Sequence, residues 1–577
     1  MSTVGRESPD RPCSSALPGL EALTLLWRWF RHWMTPTSCT ARGSNLPAIA
    51  GAAMHPRIRV GDYLRLSARR HPDVPCFVFG DGTEQTFAET NTRVNRLADA
   101  MARRGVAKGD KVAIVATDCG GYAELLLACM KLGAVYVPLN NRLADSELLT
   151  LLRWAKPSML FVTSRYLDSG RALLPQVESL RQLIDFDQAE GPEGYEALLA
   201  TGADVEPDVD VRDEDVIGLA FTSGTTGLPK GVLQSQRMLK SLIVNMSIDY
   251  EIVPGEFRYT ASPTFHIAGQ GMILMHVWRG FPTLILPQFD PAEVLRWMRS
   301  GRLTGVFLVP TMISSVLERP EAAAGDYPGL RSIIYGGAPI SPTLLRQAIE
   351  TFGCDLINAF GAATEGGLQT VLGSADHRRA MAGDTHLLGS IGKPAFGVEL
   401  RIVGADGADV PRGEIGEIIT RSDAVMNGYL EMPDETARAI RDGWFWGGDL
   451  ARMDDEGYLY LAGRSKDMII RGGENIYPVE IETVISGHPG VAQVAVVGRP
   501  DEHWGEVVVA YLTAEREIDL EALRRRCRDR LAAYKVPVEF VVVAEMPLNA
   551  SGKILKRTLR EAPPAAIDRP AARAAAR

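Results

Sequence analysis

The stretch Thr222-Ser223-Gly224-Thr225-Thr226-Gly227-Leu228-Pro229-Lys230-Gly231 constrains this chain more than any other. It follows the apolar run Val216-Ile217-Gly218-Leu219-Ala220-Phe221, short and bounded as a buried strand would be. Its glycines let the backbone turn tightly and bring N–H groups close to a ligand; its hydroxyls and one ammonium add further donors. That set suits a polyphosphate, and a plain polar loop is the competing reading. A Walker-type loop fails on spacing. The fifth residue after Gly224 is Pro229 rather than glycine, and Lys230 is followed by Gly231 rather than Ser or Thr.

Around this loop the chain alternates helix and strand. Helical spacing covers 64–70, 86–104 and 122–132, while 111–116 and 133–140 read as buried strands. Such alternation predicts an α/β fold with parallel sheets covered by helices. Ligands then bind at the carboxyl ends of strands, where 222–231 would sit. Three later runs close on Gly or Pro, as strand edges lining a cleft do: 263–269, 304–310 and 333–339. The stretch Asn358-Ala359-Phe360-Gly361-Ala362-Ala363-Thr364-Glu365 offers an amide for a purine edge, a ring to stack and a carboxylate for Mg²⁺. Turns in a smaller β-rich region are read at 413–418 and 443–450, and Gly463-Arg464-Ser465-Lys466-Asp467 reads as a charged loop. A short α+β module follows, with strands at 468–470, 491–497 and 506–512 and helices at 478–486 and 519–531.

One loop is a weak signal, but an ordered series is not. Thr222–Gly231, Phe265-His266, Tyr335–Pro339, Asn358–Glu365, Gly448-Asp449, Gly463–Lys466, Gly472-Gly473 and Ser551-Gly552-Lys553 together resemble the adenylate-forming superfamily, acyl-CoA synthetases most closely. The resemblance covers about residues 60–560 and implies a large N-terminal adenylation domain over 57–463 and a small mobile domain over 464–562. It implies two steps. A carboxylate attacks the α-phosphate of Mg-ATP to give acyl-adenylate and pyrophosphate, and CoA then takes the acyl group and expels AMP.

The resemblance also implies roles, residue by residue. Thr222, Ser223, Gly224, Thr225, Thr226, Gly227 and Lys230 would cradle the β- and γ-phosphates. Gly337, Ala338 and Pro339 would line the adenine pocket, with Asn358 bonding the base and Phe360 stacking on it. Thr364 would touch the α-phosphate, Glu365 would hold Mg²⁺, and Asp449 with Arg464 would hold the ribose. Lys553 would bridge carboxylate and α-phosphate in the first step. Lys466 would be the hinge for a rotation that presents Arg471, Gly472 and Gly473 to CoA. Phe265, His266, Gly269, Tyr335, Ala362 and Ala363 would line the acyl pocket.

Three positions depart from the family pattern. Two residues, Ala362-Ala363, stand between Phe360-Gly361 and Thr364-Glu365 where one is usual; Gly447 replaces a common Thr or Ser; Gln236 replaces a common His. Small residues in the Phe360–Ala363 loop, and no charged group to bind an amino acid, point to a hydrophobic acid, a fatty acid first and an aryl or alicyclic acid second. Transfer to a carrier protein is the alternative within the superfamily, and a non-catalytic nucleotide-binding protein is the remote one.

A formal net charge of −9 offers no global field for nucleic acid. Seven cysteines without Cys-x-x-Cys pairs fit a reducing cytoplasm and exclude a disulfide framework. Residues 1–56 read as an extension outside the fold, with Met54 an alternative start. Membrane-surface contact through the Trp/Arg-rich stretch 17–34 is the less favoured reading. The Ala/Pro/Arg-rich tail 563–577 is expected to be disordered, and nothing in the sequence excludes a homodimer.

Overall fold

The computed structural model describes residues 58–222, 229–338, 340–472, 474–501, 503–514, 516–548 and 554–561. The expectations for 1–56 and 563–577 lie outside these residues. Short apolar runs become strands of two large, mostly parallel sheets. One has seven strands, in the order 428–429, 230–235, 216–222, 135–138, 111–115, 159–162 and 182–185. The other has nine, with the parallel set 355–360, 332–336, 305–308, 258–260, 283–285 and 75–79 at its centre.

The largest core cluster joins the two sheets. Ile114 and Tyr136 from the first, and Ile334 and Ile357 from the second, meet side chains of the helices Gly120–Leu132, Gln236–Asp249 and Ile267–Arg279. The first of these helices is buried from Tyr122 to Leu132, as its apolar sequence requires of an element covered on all sides. No helix among the described residues is long and apolar enough to cross a membrane.

The elements that carry the site are β1 (Val216–Thr222), β2 (Lys230–Ser235), α1 (Ile267–Arg279), β3 (Ser332–Gly336), β4 (Asp355–Phe360), β5 (Ile415–Arg421), β6 (Trp444–Met453) and β7 (Leu459–Arg464). β5, β6 and β7 belong to a small antiparallel sheet. A further five-stranded sheet closes the chain, with the helices Pro478–Ser486 and Leu520–Arg530. The α/β architecture read from the sequence is therefore present, with a β-rich region and a terminal α+β module.

Three local expectations change. The 222–231 loop joins an antiparallel hairpin, because β2 turns back onto β1 in register from Val216↔Ser235 to Thr222↔Lys230. Gly448 and Asp449, read as part of a turn, lie inside the ten-residue strand β6. Gly463 and Arg464, read as loop, end strand β7, and a single 3₁₀ turn, Ser465–Asp467, follows.

Candidate active site

The hairpin fixes its polar residues by register. Thr222 and Lys230 form its closing pair, and 223–228 lie outside the described residues. Lys230 Nζ is 2.5 Å from Glu435 Oε2 and 4.8 Å from the centre of the Tyr429 ring. Tyr429 arrives on the two-residue strand Gly428–Tyr429, which pairs with Leu233 and Val232 of β2. Leu430 N–H donates to Gly231 O at 2.7 Å and stitches that strand to the hairpin.

The same segment reaches the acidic turn after β4. Met426 N–H donates to Glu365 O at 2.8 Å. The Tyr429 hydroxyl is pushed up by burial and then by the nearby charges of Glu365 and Glu435. Lys230, Tyr429, Glu365 and Glu435 therefore share one corner. The sequence reading missed Tyr429 and Glu435; no local motif marks them, and pairing with β2 brings in the first while the helix Pro433–Ala439 brings in the second.

The turn itself absorbs the extra residue. Glu365 N–H and Gly366 N–H both donate to Ala362 O, at 2.8 and 2.7 Å. Ala363 packs on the main core, and Ala362 on the cluster of Val232, Met238, Met426 and Phe445. Gly361 cannot carry a side chain, because a Cβ there would lie 2.4 Å from Gly367 O. Phe360 packs against Ile391, Ile402, Ile418 and Leu459, which fixes its ring at the edge of the small sheet. Gly337, at φ +80, and Ala338 are exposed just beyond β3, and Pro339 lies outside the described residues.

Asn358 and Tyr335 are register partners on parallel strands, so their side chains share one face. The Asn358 Oδ1 atom is buried with no hydrogen-bond partner. Tyr335 corrects the sequence reading. It is 1% exposed and packs in the cluster of Leu308, Leu345 and Leu356. Its hydroxyl lies 2.9 Å from His377 Nε2, and His377 Nδ1 lies 2.8 Å from Gly373 O. A carbonyl only accepts, so Nδ1 carries the proton and Nε2 accepts from Tyr335. Burial lowers the His377 pKa and keeps this ring neutral.

Asp449 and Arg464, expected to hold one ribose, are register partners across β6 and β7. Arg464 Nε stands 2.9 Å from Asp449 Oδ1.

Phe265 and His266 lead into α1 with ring centres 4.4 Å apart. Gly269 serves close packing, because a Cβ there would lie 2.7 Å from Pro263 O. A small cavity of about 20 Å³ lies beside it, lined by Asp118, Ser262, Thr264 and Ile273. Asp118, which the sequence reading missed, holds this loop: both its oxygens accept from Thr264 N–H, at 3.0 and 3.3 Å. Burial pushes the Asp118 carboxyl up to about 6.

In the terminal module, burial and then Arg464 lower the Lys466 pKa, and Arg560 Nη2 lies 2.8 Å from the neighbouring Asp467 Oδ1. Arg471 donates to Tyr534 O at 2.6 Å and lies 5.3 Å from the Trp504 ring centre. Gly472, at φ +58, donates to Trp504 O at 2.7 Å, and a Cβ would meet the Trp504 ring at 2.9 Å. Gly473 and Lys553 lie outside the described residues.

The family model for AMP-binding enzymes matches residues 64–430, and that for the AMP-binding enzyme C-terminal domain matches 480–553. The chain belongs to this adenylate-forming family. It is an AMP-forming acyl-CoA ligase by class. It is similar to a feruloyl-CoA synthase of an Amycolatopsis species, with 37% identity over 85% of this chain and 96% of the relative. A long-chain-fatty-acid–CoA ligase of Mycobacterium tuberculosis is 33% identical over 87% of this chain and 98% of its own length. Among solved structures, the o-succinylbenzoate CoA synthetase of Bacillus subtilis in complex with its acyl-adenylate intermediate has 30% identity and a TM-score of 0.77, covering 87% and 98% of the two chains. That enzyme has also been solved with ATP and magnesium ion.

Within this adenylate-forming chain, Lys230 stands over Tyr429, the segment 426–429 bonds to Glu365 through Met426, and Asp449 meets Arg464. Tyr335 and Gly269 are drawn into packing roles instead.

Proposed function

We propose that the enzyme joins a hydrophobic carboxylic acid to CoA through an acyl-adenylate. In the first step a carboxylate oxygen attacks the α-phosphorus of ATP and pyrophosphate leaves. In the second, the CoA sulfur attacks the acyl carbon, the mixed anhydride breaks, and AMP leaves. The intermediate is required because a free carboxylate is a poor acylating agent.

The observation that carries this reading is the corner where Lys230 stands over Tyr429 and the same segment bonds the Glu365 carbonyl through Met426 N–H. Lys230 already holds an anion there, the Glu435 carboxylate, and a triphosphate oxygen would take its place. Thr222 and 223–227 supply further donors to the β- and γ-phosphates, and Thr364 touches the α-phosphate. The described residues hold no group of three or more His, Cys, Asp or Glu side chains that could bind a metal alone. Mg²⁺ fits as an ion shared by one carboxylate, Glu365, and the phosphates, its usual arrangement with nucleotides. When bound it neutralises phosphate oxygens.

Asn358 Oδ1, buried without a partner, suits the amine of adenine, with Phe360 fixed to cover the base and Gly337, Ala338 and Pro339 at its edge. Asp449 and Arg464 take the ribose hydroxyls. Lys553 neutralises charge at the reacting phosphorus. Residues 464–562 then act as the mobile domain, with Lys466 its pivot and Arg471, Gly472 and Gly473 beside the pantetheine arm.

For the acid, Phe265, His266, Ala362 and Ala363 favour an apolar chain, and we place a fatty acid first. An aryl acid is the second reading, favoured by the likeness to a feruloyl-CoA synthase. The test is a panel of fatty acids of graded length and hydroxycinnamic acids, with Mg-ATP and CoA, read as AMP and thioester. Failure of every acid to yield a CoA thioester, with transfer only to a carrier protein, would sink the CoA reading.

A further inference from the structure

Strand β6, which carries Asp449, does not match its neighbour β5 in length. Glu417 of β5 faces Leu450 of β6, and Ile419 faces Trp446. Two steps along β5 thus correspond to four along β6, and Gly447, Gly448 and Asp449 bulge away from β5. A bulge of this kind strips backbone donors of their ladder partners, and a half-buried donor needs another acceptor. Gly448 N–H finds it in the Glu417 side chain, with 3.1 Å to Oε1. Gly448 sits at φ +79, in the left-handed region that a glycine adopts without strain. On the other edge of β6, Asp449 stays paired with Arg464 of β7.

The bulge is therefore held from both sides. An ion pair grips Asp449, and the carboxylate of Glu417, the register partner of Leu450, accepts from the Gly448 N–H just before it. Gly447 offers no side chain to share that task; its own backbone lies against the Phe445 ring, where a Cβ would come to 3.1 Å. Burial raises the Glu417 pKa, Arg441 lowers it and Asp449 raises it, so the residue faces one cation and one anion.

We propose that Glu417 is a positioning residue for the nucleotide: its carboxylate pins the Gly447–Asp449 bulge and so aims Asp449 at the ribose hydroxyls. This rests on the reading of Asp449 as the ribose ligand. Glu417 does not touch the nucleotide; it fixes the geometry of the residue that does.

The test is steady-state kinetics on the full-length enzyme with Glu417→Ala and Glu417→Gln, using ATP and 3′-deoxy-ATP. Loss of a hydrogen bond to a charged acceptor predicts that Glu417→Ala raises KM for ATP about tenfold and leaves KM for the acid unchanged. Glutamine keeps an acceptor oxygen, so Glu417→Gln stays within about twofold of wild type. Wild type loses about tenfold on 3′-deoxy-ATP, and Glu417→Ala loses little further, because its ribose contact is already misaimed. If Glu417→Ala does not fold, Glu417→Asp, one methylene shorter, is read in the same way. An unchanged KM for ATP in a wild type that does discriminate against 3′-deoxy-ATP overturns the role of Glu417 alone. Equal rises for acid and ATP, or a glutamine variant as poor as alanine, also overturn it. A wild type indifferent to the 3′-hydroxyl overturns the ribose reading itself.

Discussion

Lys230 Nζ lies 2.5 Å from Glu435 Oε2, so the lysine at the base of the glycine-rich hairpin is already engaged by a carboxylate. Glu435 comes from a helix of seven residues, Pro433–Ala439, and its pKa is lowered by that lysine. On the proposed reading, a triphosphate oxygen competes with this carboxylate for Lys230. Glu435→Gln should therefore lower KM for ATP by about two- to fivefold, the range for a partly exposed ion pair. Titration of initial rates against ATP checks it, and an unchanged or higher KM would remove Glu435 from the site.

Asp118 gives a pH dependence with a defined sign. Its carboxyl moves from an ordinary 3.8 to about 6 in the fold. The folded state thus binds the proton more tightly than the unfolded chain, and stability is lost as pH rises through that window. Asp118→Asn should gain on wild type from about pH 4 to about pH 7, approaching about 3 kcal/mol, by urea unfolding. Asp249 is also pushed up to about 6, and the wild-type-minus-variant difference cancels it. A difference that is flat with pH would contradict the account.

Tyr335→Phe tests the move of this residue from pocket to core. It leaves His377 Nε2 buried without its donor, at a cost of about 1–2 kcal/mol. Urea unfolding should show the loss, and the order of preferred acids should not change. Altered acid preference with unchanged stability would return Tyr335 to the acyl pocket.

Lys553→Ala should lose acid-dependent adenylate formation by several orders of magnitude and keep thioester formation from supplied acyl-adenylate. Equal loss of both half-reactions would contradict its assignment to the first step.

The strands and helices were legible because period and punctuation are local. The helix read over 478–486 is Pro478–Ser486 in the fold, and 111–116 is Lys111–Val115. What stayed hidden depends on register. Alternation within 333–339 cannot say which face is buried, and the apolar, aromatic Tyr335 reads as a pocket wall; only its packing among Leu308, Leu345 and Leu356 places it in the core. The bulge at Gly447–Asp449 looked like a turn because two glycines mark both. Tyr429 and Glu435 carry no motif of their own; an edge strand delivers Tyr429 to β2, and the helix Pro433–Ala439 delivers Glu435 to Lys230. The ordered series of loops named the chemistry, while the supports of each loop, Asp118, His377 and Glu417, appear only in three dimensions.

The most direct measurement is pyrophosphate release from ATP and a hydrophobic acid before CoA is added, followed by AMP release when it is. The account predicts that pyrophosphate appears only with acid, at one equivalent per active site without CoA, and that AMP and the acyl-CoA thioester then appear together. Pyrophosphate without acid, or no pyrophosphate until CoA is present, would contradict an acyl-adenylate formed in this site.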